Sequence, residues 1–221
     1  MLRVALTGGL GAGKSTAARM FQALGAHVLS SDAMGRAMMQ PGQPVYVAIV
    51  QRFGPGVVLA SGELDRPALA KLAFAEGRVE ELNAIVHPAV IALQLKLVAA
   101  IAAADAKAIV MVESALIFET KYATTATGGE DGWRSRFDKI VLVIAPEELK
   151  IARFVARAGK GQPLSEMQRE ALETEARQRL DQQMSDEKKA SLSDYVLTNN
   201  GPETELEWQV DRLWPILLAQ A

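Results

Sequence analysis

The sequence predicts an α/β fold with a five-stranded parallel sheet, because short apolar segments of strand length alternate with longer segments of helical periodicity. Several of the short segments are continuous runs rich in Val and Ile, which is typical of parallel strands covered by helices on both faces. A glycine-rich segment directly follows the first of them. The five predicted strands span residues 3–7, 27–30, 109–113, 140–144 and 195–198.

The glycine-rich segment reads GGLGAGKS and fits the phosphate-binding pattern G-x-x-x-x-G-K-[ST]. Its glycines let backbone N–H groups turn towards an anion, and the helix that begins near Lys14 adds its positive end. Lys14 can reach the β- and γ-phosphates, and Ser15 offers a hydroxyl to Mg²⁺. The alternative is a glycine-rich turn with only a structural role, but such a turn does not require a strand directly before it and a helix directly after it. A nucleoside triphosphate is therefore the expected ligand of Gly8, Gly9, Leu10, Gly11, Ala12, Gly13, Lys14, Ser15 and Thr16.

Two carboxylates follow predicted strands. Asp32 comes after the second strand, at the sheet edge where open α/β folds bind ligands, and could accept a proton from an acceptor hydroxyl. The same position suits an N-cap of the next helix, and the residues alone do not choose between these roles. Glu113 ends the third strand and is either a Mg²⁺ ligand, direct or through water, or a structural carboxylate of the following loop.

Residues 41–106 contain no clear sheet strand and are predicted to form a helical insertion beside the sheet. Asp65 is the expected cap of a helix over ELDRPALAKLAF. A second helix is expected over HPAVIALQLKLVAAIAAA, residues 87–104, with Pro88 in its first turn. Two polar residues interrupt it and it is short for a membrane span, so we expect a buried or half-buried helix. His87, at the expected helix start, either caps or packs there, or touches substrate.

The next two segments differ in pattern. Residues 120–137 are rich in Thr and Gly and are expected to form a long, mobile surface loop. Residues 146–189 are predicted to form a helical hairpin, with Ser165 and Gln168 as a capping box of its second helix. Arginines on this hairpin either close over transferring phosphates or line a solvated face paired with glutamates: Arg153, Arg157, Arg177 and Arg179.

Composition narrows the function classes. The chain has 221 residues, of which 49% are hydrophobic, and 24 basic against 26 acidic residues, so an ordinary globular protein is expected rather than a general nucleic-acid binder. There are no cysteines, which excludes disulfides, thiolate zinc sites and cysteine nucleophiles. The first predicted strand lies at the very start of the sequence, so we expect no signal peptide, no membrane partner and a cytoplasmic location.

These motifs make the chain similar to the dephospho-CoA kinase family, and they occur in the family's order. ALTGGLGAGKST resembles its phosphate loop, and ALIFE resembles its Pro-Leu-Leu-Phe-Glu motif. The other matching pieces are SSDAMGRAMMQPGQPVYVAIVQRFG, GELDRPALAKLAF, LNAIVHPAV and RLDQQMSDEKKASLSDYVLTNNG. The chain departs from the family where Ser30 replaces the first aspartate of the Asp-Ala-Asp motif and Ala115 replaces a proline.

The resemblance implies a P-loop NTPase-type three-layer fold and transfer of the ATP γ-phosphate to the ribose 3′-hydroxyl of dephospho-CoA, with Mg²⁺. It makes Asp32 the base, and it places Arg153 and Arg157 on the first lid helix. Arg179 and Gln183 match the lid signature. Asn199 and Gly201 match the segment near the adenine of ATP.

The resemblance also suggests a division of the chain. Residues 1–40, 107–145 and 190–221 form the nucleotide-binding core, 41–106 the region on the CoA side, and 146–189 the lid. His87 and Glu113 would lie on the substrate side, and no obligate protein partner is evident. The alternatives are another small-molecule P-loop kinase, for a nucleoside, a nucleotide or shikimate, and a nucleotide-dependent switch. The chain has no NKxD tetrapeptide of the kind that GTPases use for base recognition.

Overall fold

The sheet has five parallel strands in the order β2–β3–β1–β4–β5. A computed structural model describes residues 1–119, 132–159 and 161–221. All five predicted strands are confirmed, and the first and fourth each begin one residue earlier than expected. The strands are β1 Leu2–Thr7, β2 His27–Ser30, β3 Ile109–Glu113, β4 Lys139–Ile144 and β5 Tyr195–Thr198.

Helices cover both faces of this sheet. On one face, α1 and α9 bury Phe21 and Leu206 against Leu6 and Val141 of the central strands. On the other face, the segment after β3 and the segment before β4 cover Ala5. The helices are α1 Lys14–Ala23, α2 Ser31–Met38, α3 Pro44–Phe53, α4 Arg66–Ala70, α5 Val79–Ala104, α6 Glu147–Ala158, α7 Glu166–Asp181, α8 Asp186–Ser191 and α9 Glu203–Leu218.

The insertion between α2 and β3 has a core of its own, which contains Val45, Ile49, Leu69 and Val86. The predicted cap is confirmed, since the Asp65 carboxylate accepts a hydrogen bond from the Ala68 amide at 3.0 Å. A short turn of 3-10 helix and a π-helical segment, Lys71–Ala75, complete this region. The insertion is therefore stabilised by a hydrophobic core of its own and packs beside the sheet.

The prediction that Pro88 lies in the first turn of a helix is wrong. Pro88 lies inside α5, a helix of 26 residues. A proline inside a helix removes one backbone hydrogen bond, and the apolar residues on both sides of Pro88 keep the helix continuous by packing. By length and composition α5 is apolar enough to cross a membrane, and core helices of other proteins meet the same criteria. Its buried residues, Val86, Val90 and Gln94, face the insertion and α2.

The hairpin of α6 and α7, here called the lid hairpin, packs on the phosphate-binding loop. Phe154 and Ala176 lie in its core, and Leu10 of the loop packs against them. The predicted capping box is confirmed, with Ser165 and Gln168 bonded to each other's backbone amides. Pro146 is the N-cap of α6.

The segment before β4 differs from the expected surface loop. Trp133 and Phe137 are buried, and the Trp133 ring meets the Phe118 ring edge-on with centroids 4.9 Å apart. The prediction of a mobile surface loop is therefore wrong for residues 132–137. The two aromatic side chains bury a large apolar area, although most of the segment is rich in Thr and Gly. The rest of that expectation, for residues 120–131, lies outside the described residues.

Candidate active site

The phosphate-binding loop runs from the end of β1 to the start of α1. Gly13 has φ 99°, and a Cβ there would lie 1.9 Å from the Asn199 amide nitrogen, so only glycine fits. The Lys14 ammonium folds back over the loop and donates to the Gly9 carbonyl at 2.9 Å. The loop therefore has the geometry of an anion cradle closed by a cation.

Lys14 lies at the centre of several charges. Burial lowers the pKa of Lys14 to about 8, the carboxylates of Glu113 and Asp32 oppose this shift, and the cations of Lys189 and Arg157 add to it. The predicted lysine, both predicted carboxylates and one predicted arginine thus come together around one point. Lys189 joins them although the sequence did not single it out.

Glu113 touches the loop directly. Its Oε1 accepts a hydrogen bond from the Ser15 hydroxyl at 2.5 Å. The strand register explains the contact, since Glu113 is paired with both Leu6 and Ser30 at the carboxyl edge of the sheet. A hydroxyl and a carboxylate oxygen are suitable Mg²⁺ ligands. The described residues hold no cluster of three His, Cys, Asp or Glu side chains able to bind a metal by themselves.

Asp32 does not cap a helix, and its carboxylate faces a cleft. The cap position of α2 belongs to Ser30, so the alternative role of Asp32 as an N-cap is wrong. Its side chain is exposed and lines a cleft of about 700 Å³. Within the ranges that the structure describes, no hydrogen bond or ion pair engages its carboxylate. A carboxylate without a structural partner, next to a lysine and an open cleft, is available to act on a ligand.

This α2–α5 cleft adjoins the phosphate-binding loop. Its walls come from α2, α5, the turn after β3 and the segment that joins α7 to α8. His87 lines this cleft from within α5 and is not at a helix start, and its contact with a substrate stays a prediction. Burial lowers the pKa of His87, so the imidazole is neutral at physiological pH.

Arg153 connects the lid hairpin to the loop. Its Nη2 donates to the Asn199 side-chain oxygen at 3.2 Å, and the Asn199 amide donates to the Ala12 carbonyl at 2.8 Å. The other terminal nitrogen, Nη1, is buried and has no partner among the residues described. Such an unsatisfied donor beside an anion loop is suited to a phosphate oxygen.

The remaining three arginines of the hairpin lie in three different places. Arg157 is exposed on α6 and lies within electrostatic range of Lys14. Arg177 pairs with Glu147 at 3.6 Å on the outer surface, as the solvated-face alternative predicts. Arg179 pairs with Glu175 at 2.5 Å and lines the α2–α5 cleft.

The other residues of the C-terminal signature are close to the loop. The Gln183 side-chain oxygen accepts from the Leu10 amide at 3.1 Å, which ties the end of the lid hairpin to the loop. Gly201 follows β5, and a Cβ there would lie 2.2 Å from the Glu205 carboxylate. Gln183 is therefore next to the phosphate-binding loop, and Gly201 lies against the first turn of α9.

Two buried lysines were missed by sequence reasoning. Lys150 of α6 is buried and forms an ion pair with Asp186 of α8. Lys189 is fully buried, pairs with Glu119 at 3.0 Å and donates to the Ala115 carbonyl at 3.3 Å. Both lie in helices with many charged residues, where nothing in the sequence distinguishes a buried lysine from an exposed one.

Lys189→Met is expected to lower the free energy of unfolding by about 3–5 kcal/mol, because it leaves the Glu119 carboxylate without a counter-charge in a largely buried site. Urea unfolding of both proteins measures the loss. Lys188→Met, which removes the exposed neighbour, should change stability by less than about 0.5 kcal/mol. An equal effect of both variants would show that the ion pair does not stabilise this region.

Because the anion loop and the α2–α5 cleft meet at Lys14 and Asp32, the fold and the site together define a P-loop kinase. The chain matches the family model described as dephospho-CoA kinase over residues 2–205. It belongs to the dephospho-CoA kinase family.

Individual relatives agree with this assignment. A dephospho-CoA kinase of Syntrophotalea carbinolica is 36% identical over 211 residues, which are 95% of this chain and 89% of the relative. One of Mycolicibacterium paratuberculosis is 34% identical over 97% of this chain, and the chain spans 47% of that longer protein. A solved structure from Thermus thermophilus has a TM-score of 0.72 and 30% identity, and the similarity covers 98% of this chain and 97% of that one.

Proposed function

We propose that this protein transfers the γ-phosphate of ATP to the ribose 3′-hydroxyl of dephospho-CoA. The observation that carries the proposal is the Asp32 carboxylate, which has no hydrogen-bond or ion-pair partner among the described residues, lines the α2–α5 cleft and lies within electrostatic range of Lys14. A carboxylate next to a triphosphate site can act as a base on the hydroxyl group of an acceptor molecule. The adjacent cleft is large enough to hold such a small molecule.

In this mechanism Lys14 and the loop amides hold the β- and γ-phosphates. Asp32 orients the acceptor hydroxyl and takes its proton as the new phosphate–oxygen bond forms. Arg153 and Arg157 neutralise the charge that spreads over the transferred group. The lid hairpin excludes water, which limits hydrolysis of ATP.

Mg²⁺ fits the oxygen ligands next to the loop. Ser15 would hold it, with Glu113 close enough to bind it directly or through a water. When bound, the ion neutralises charge on the β- and γ-phosphate oxygens. The phosphates of ATP would supply further ligands, and Asn199 and Gly201 would border the adenine. A cytoplasmic location, where ATP is supplied, fits this reaction.

The proposal is tested by ADP release from Mg-ATP with and without dephospho-CoA, with the product identified by mass. A large stimulation and a mass gain of one phosphate group are expected. Stimulation by a nucleoside, a nucleotide or shikimate, and none by dephospho-CoA, would replace the proposed acceptor. Nucleotide hydrolysis that no acceptor stimulates would contradict the kinase assignment.

The affinity for ATP should depend on the protonation of Lys14. With a pKa of about 8 in the free protein, Lys14 is mostly charged below pH 8. Above pH 8 it is mostly neutral, so that Lys14 must take up a proton from solution when ATP binds. We expect the dissociation constant of Mg-ATP to rise about tenfold between pH 7.5 and 9. Calorimetry in two buffers measures both the affinity and the proton uptake. The same pH profile in Lys14→Met would show that another group titrates.

A further inference from the structure

Three polar side chains form a continuous hydrogen-bonded row in the wall of the α2–α5 cleft. The Gln94 amide donates to the Ser31 hydroxyl at 2.8 Å, and the Gln94 side-chain oxygen accepts from Arg136 Nη2 at 2.6 Å. Gln94 is only 2% exposed and comes from the middle of α5. The row therefore joins the start of α2, next to Asp32, to the segment before β4.

Arg136 is a desolvated cation in the wall of this cleft. Among the described ranges 1–119, 132–159 and 161–221, no carboxylate lies within ion-pair distance of its guanidinium. Its recorded neighbours are the Gln94 oxygen and the Phe137 ring, whose centroid is 5.0 Å away. Burial lowers the pKa of Arg136 to about 10, which still leaves the group charged at neutral pH.

A half-buried arginine normally has a carboxylate partner, because removing its charge from water is costly. One of its five N–H donors is used by Gln94, and the side chain lines the cleft. The other cleft arginines have less need of a ligand. Arg36 is exposed to water, and Arg179 already has Glu175. Since no described residue supplies an anion to Arg136, a molecule in the cleft is well placed to do so.

We propose that Arg136 binds the diphosphate of the acceptor and that Gln94 positions it for this contact. The inference rests on the proposed function, since dephospho-CoA carries its negative charge on the diphosphate between ribose and pantetheine. A planar guanidinium matches diphosphate oxygens with two parallel hydrogen bonds. Because Gln94 also holds Ser31, the residue before Asp32, the row fixes the anion site relative to the base that meets the 3′-hydroxyl.

The test is calorimetric titration of the protein saturated with Mg-ADP, which fills the phosphate-binding loop, with dephospho-CoA and with adenosine. Adenosine shares the 3′-hydroxyl but lacks the diphosphate. In Arg136→Met the dissociation constant of dephospho-CoA should rise about tenfold to a hundredfold, as expected for loss of a charged hydrogen bond, and that of adenosine should stay within about twofold. Arg136→Lys and Gln94→Leu should give smaller losses with the same selectivity.

Arg134→Met is the matched control, because Arg134 is exposed, lies over the Trp133 ring and does not line the cleft. It should bind both ligands as the wild type does. Thermal melting and the Mg-ADP affinity show whether each variant is folded. If Arg136→Met fails to fold, Arg136→Lys decides.

Equal weakening of dephospho-CoA and adenosine would overturn the proposal, because the role of Arg136 would then be structural. Unchanged affinity for dephospho-CoA in both Arg136 variants would also overturn it, as would a wild type that binds dephospho-CoA no better than adenosine. The proposed function is judged separately by turnover. A wild type that binds dephospho-CoA through Arg136 but transfers no phosphate would keep the anion site and refute the kinase reaction.

Discussion

Asp32→Asn is expected to lower kcat for phosphate transfer to dephospho-CoA by about a hundredfold or more, the usual scale for loss of a general base. The affinity for Mg-ATP should change little, because the Asp32 carboxylate lies on the cleft side of Lys14. Asparagine has nearly the same shape and still accepts a hydrogen bond from the hydroxyl, so the loss measures proton transfer. Steady-state turnover and a separate titration with ATP distinguish the two effects.

Asp211→Asn provides the control for this experiment. Asp211 is an exposed aspartate on α9, outside the site, and its replacement should leave kcat unchanged. Turnover of Asp32→Asn within about threefold of the wild type would remove Asp32 from the catalytic role. A fall in ATP affinity of the same size as the fall in kcat would assign it to nucleotide binding instead.

Lys14→Met should lower kcat by about a thousandfold. This is the upper end of the range seen when one group that stabilises charge in the transition state is removed. It removes the cation that closes the phosphate-binding loop over the Gly9 carbonyl. Lys14→Arg should also be poorly active, because a forked guanidinium does not fit the place of a compact ammonium. Both variants are compared with the wild type by dephospho-CoA-dependent ADP release.

Lys107→Met, which changes an exposed lysine before β3, should turn over normally. A Lys14→Met variant that keeps more than about a tenth of wild-type turnover would contradict the role given to this lysine. Loss of activity in both lysine variants would indicate a general effect of reduced positive charge.

The parts of this protein that the sequence predicts best are those with local signals. The strands are runs of Val and Ile, the capping residues at Asp65 and Ser165 mark helix starts, and the phosphate-binding loop is a contiguous motif. Asp32 and Glu113 could be placed because parallel strands bring their carboxyl ends to one edge.

What sequence reasoning missed depends on partners that are distant in the chain. Lys189 is buried because Glu119, 70 residues away, neutralises it, and only the folded chain brings the two together. Gln94 interrupts an apolar helix in the sequence, yet it is buried and bonded to Ser31 and Arg136. The sequence predicts Pro88 in the first turn of a helix, because the packing that keeps α5 continuous through Pro88 has no local signature.

The position of β1 in the centre of the sheet has a consequence for biosynthesis. In β1, Leu2 pairs with Ile109 of β3 on one side, and Thr7 pairs with Leu142 of β4 on the other. Because these partners lie more than a hundred residues later in the chain, β1 is synthesised well before the strands with which it pairs. The insertion between α2 and β3 has local contacts and its own core, and it can collapse on the ribosome while β1 is still unpaired. The nucleotide site therefore forms late in translation, after more than half of the chain has emerged.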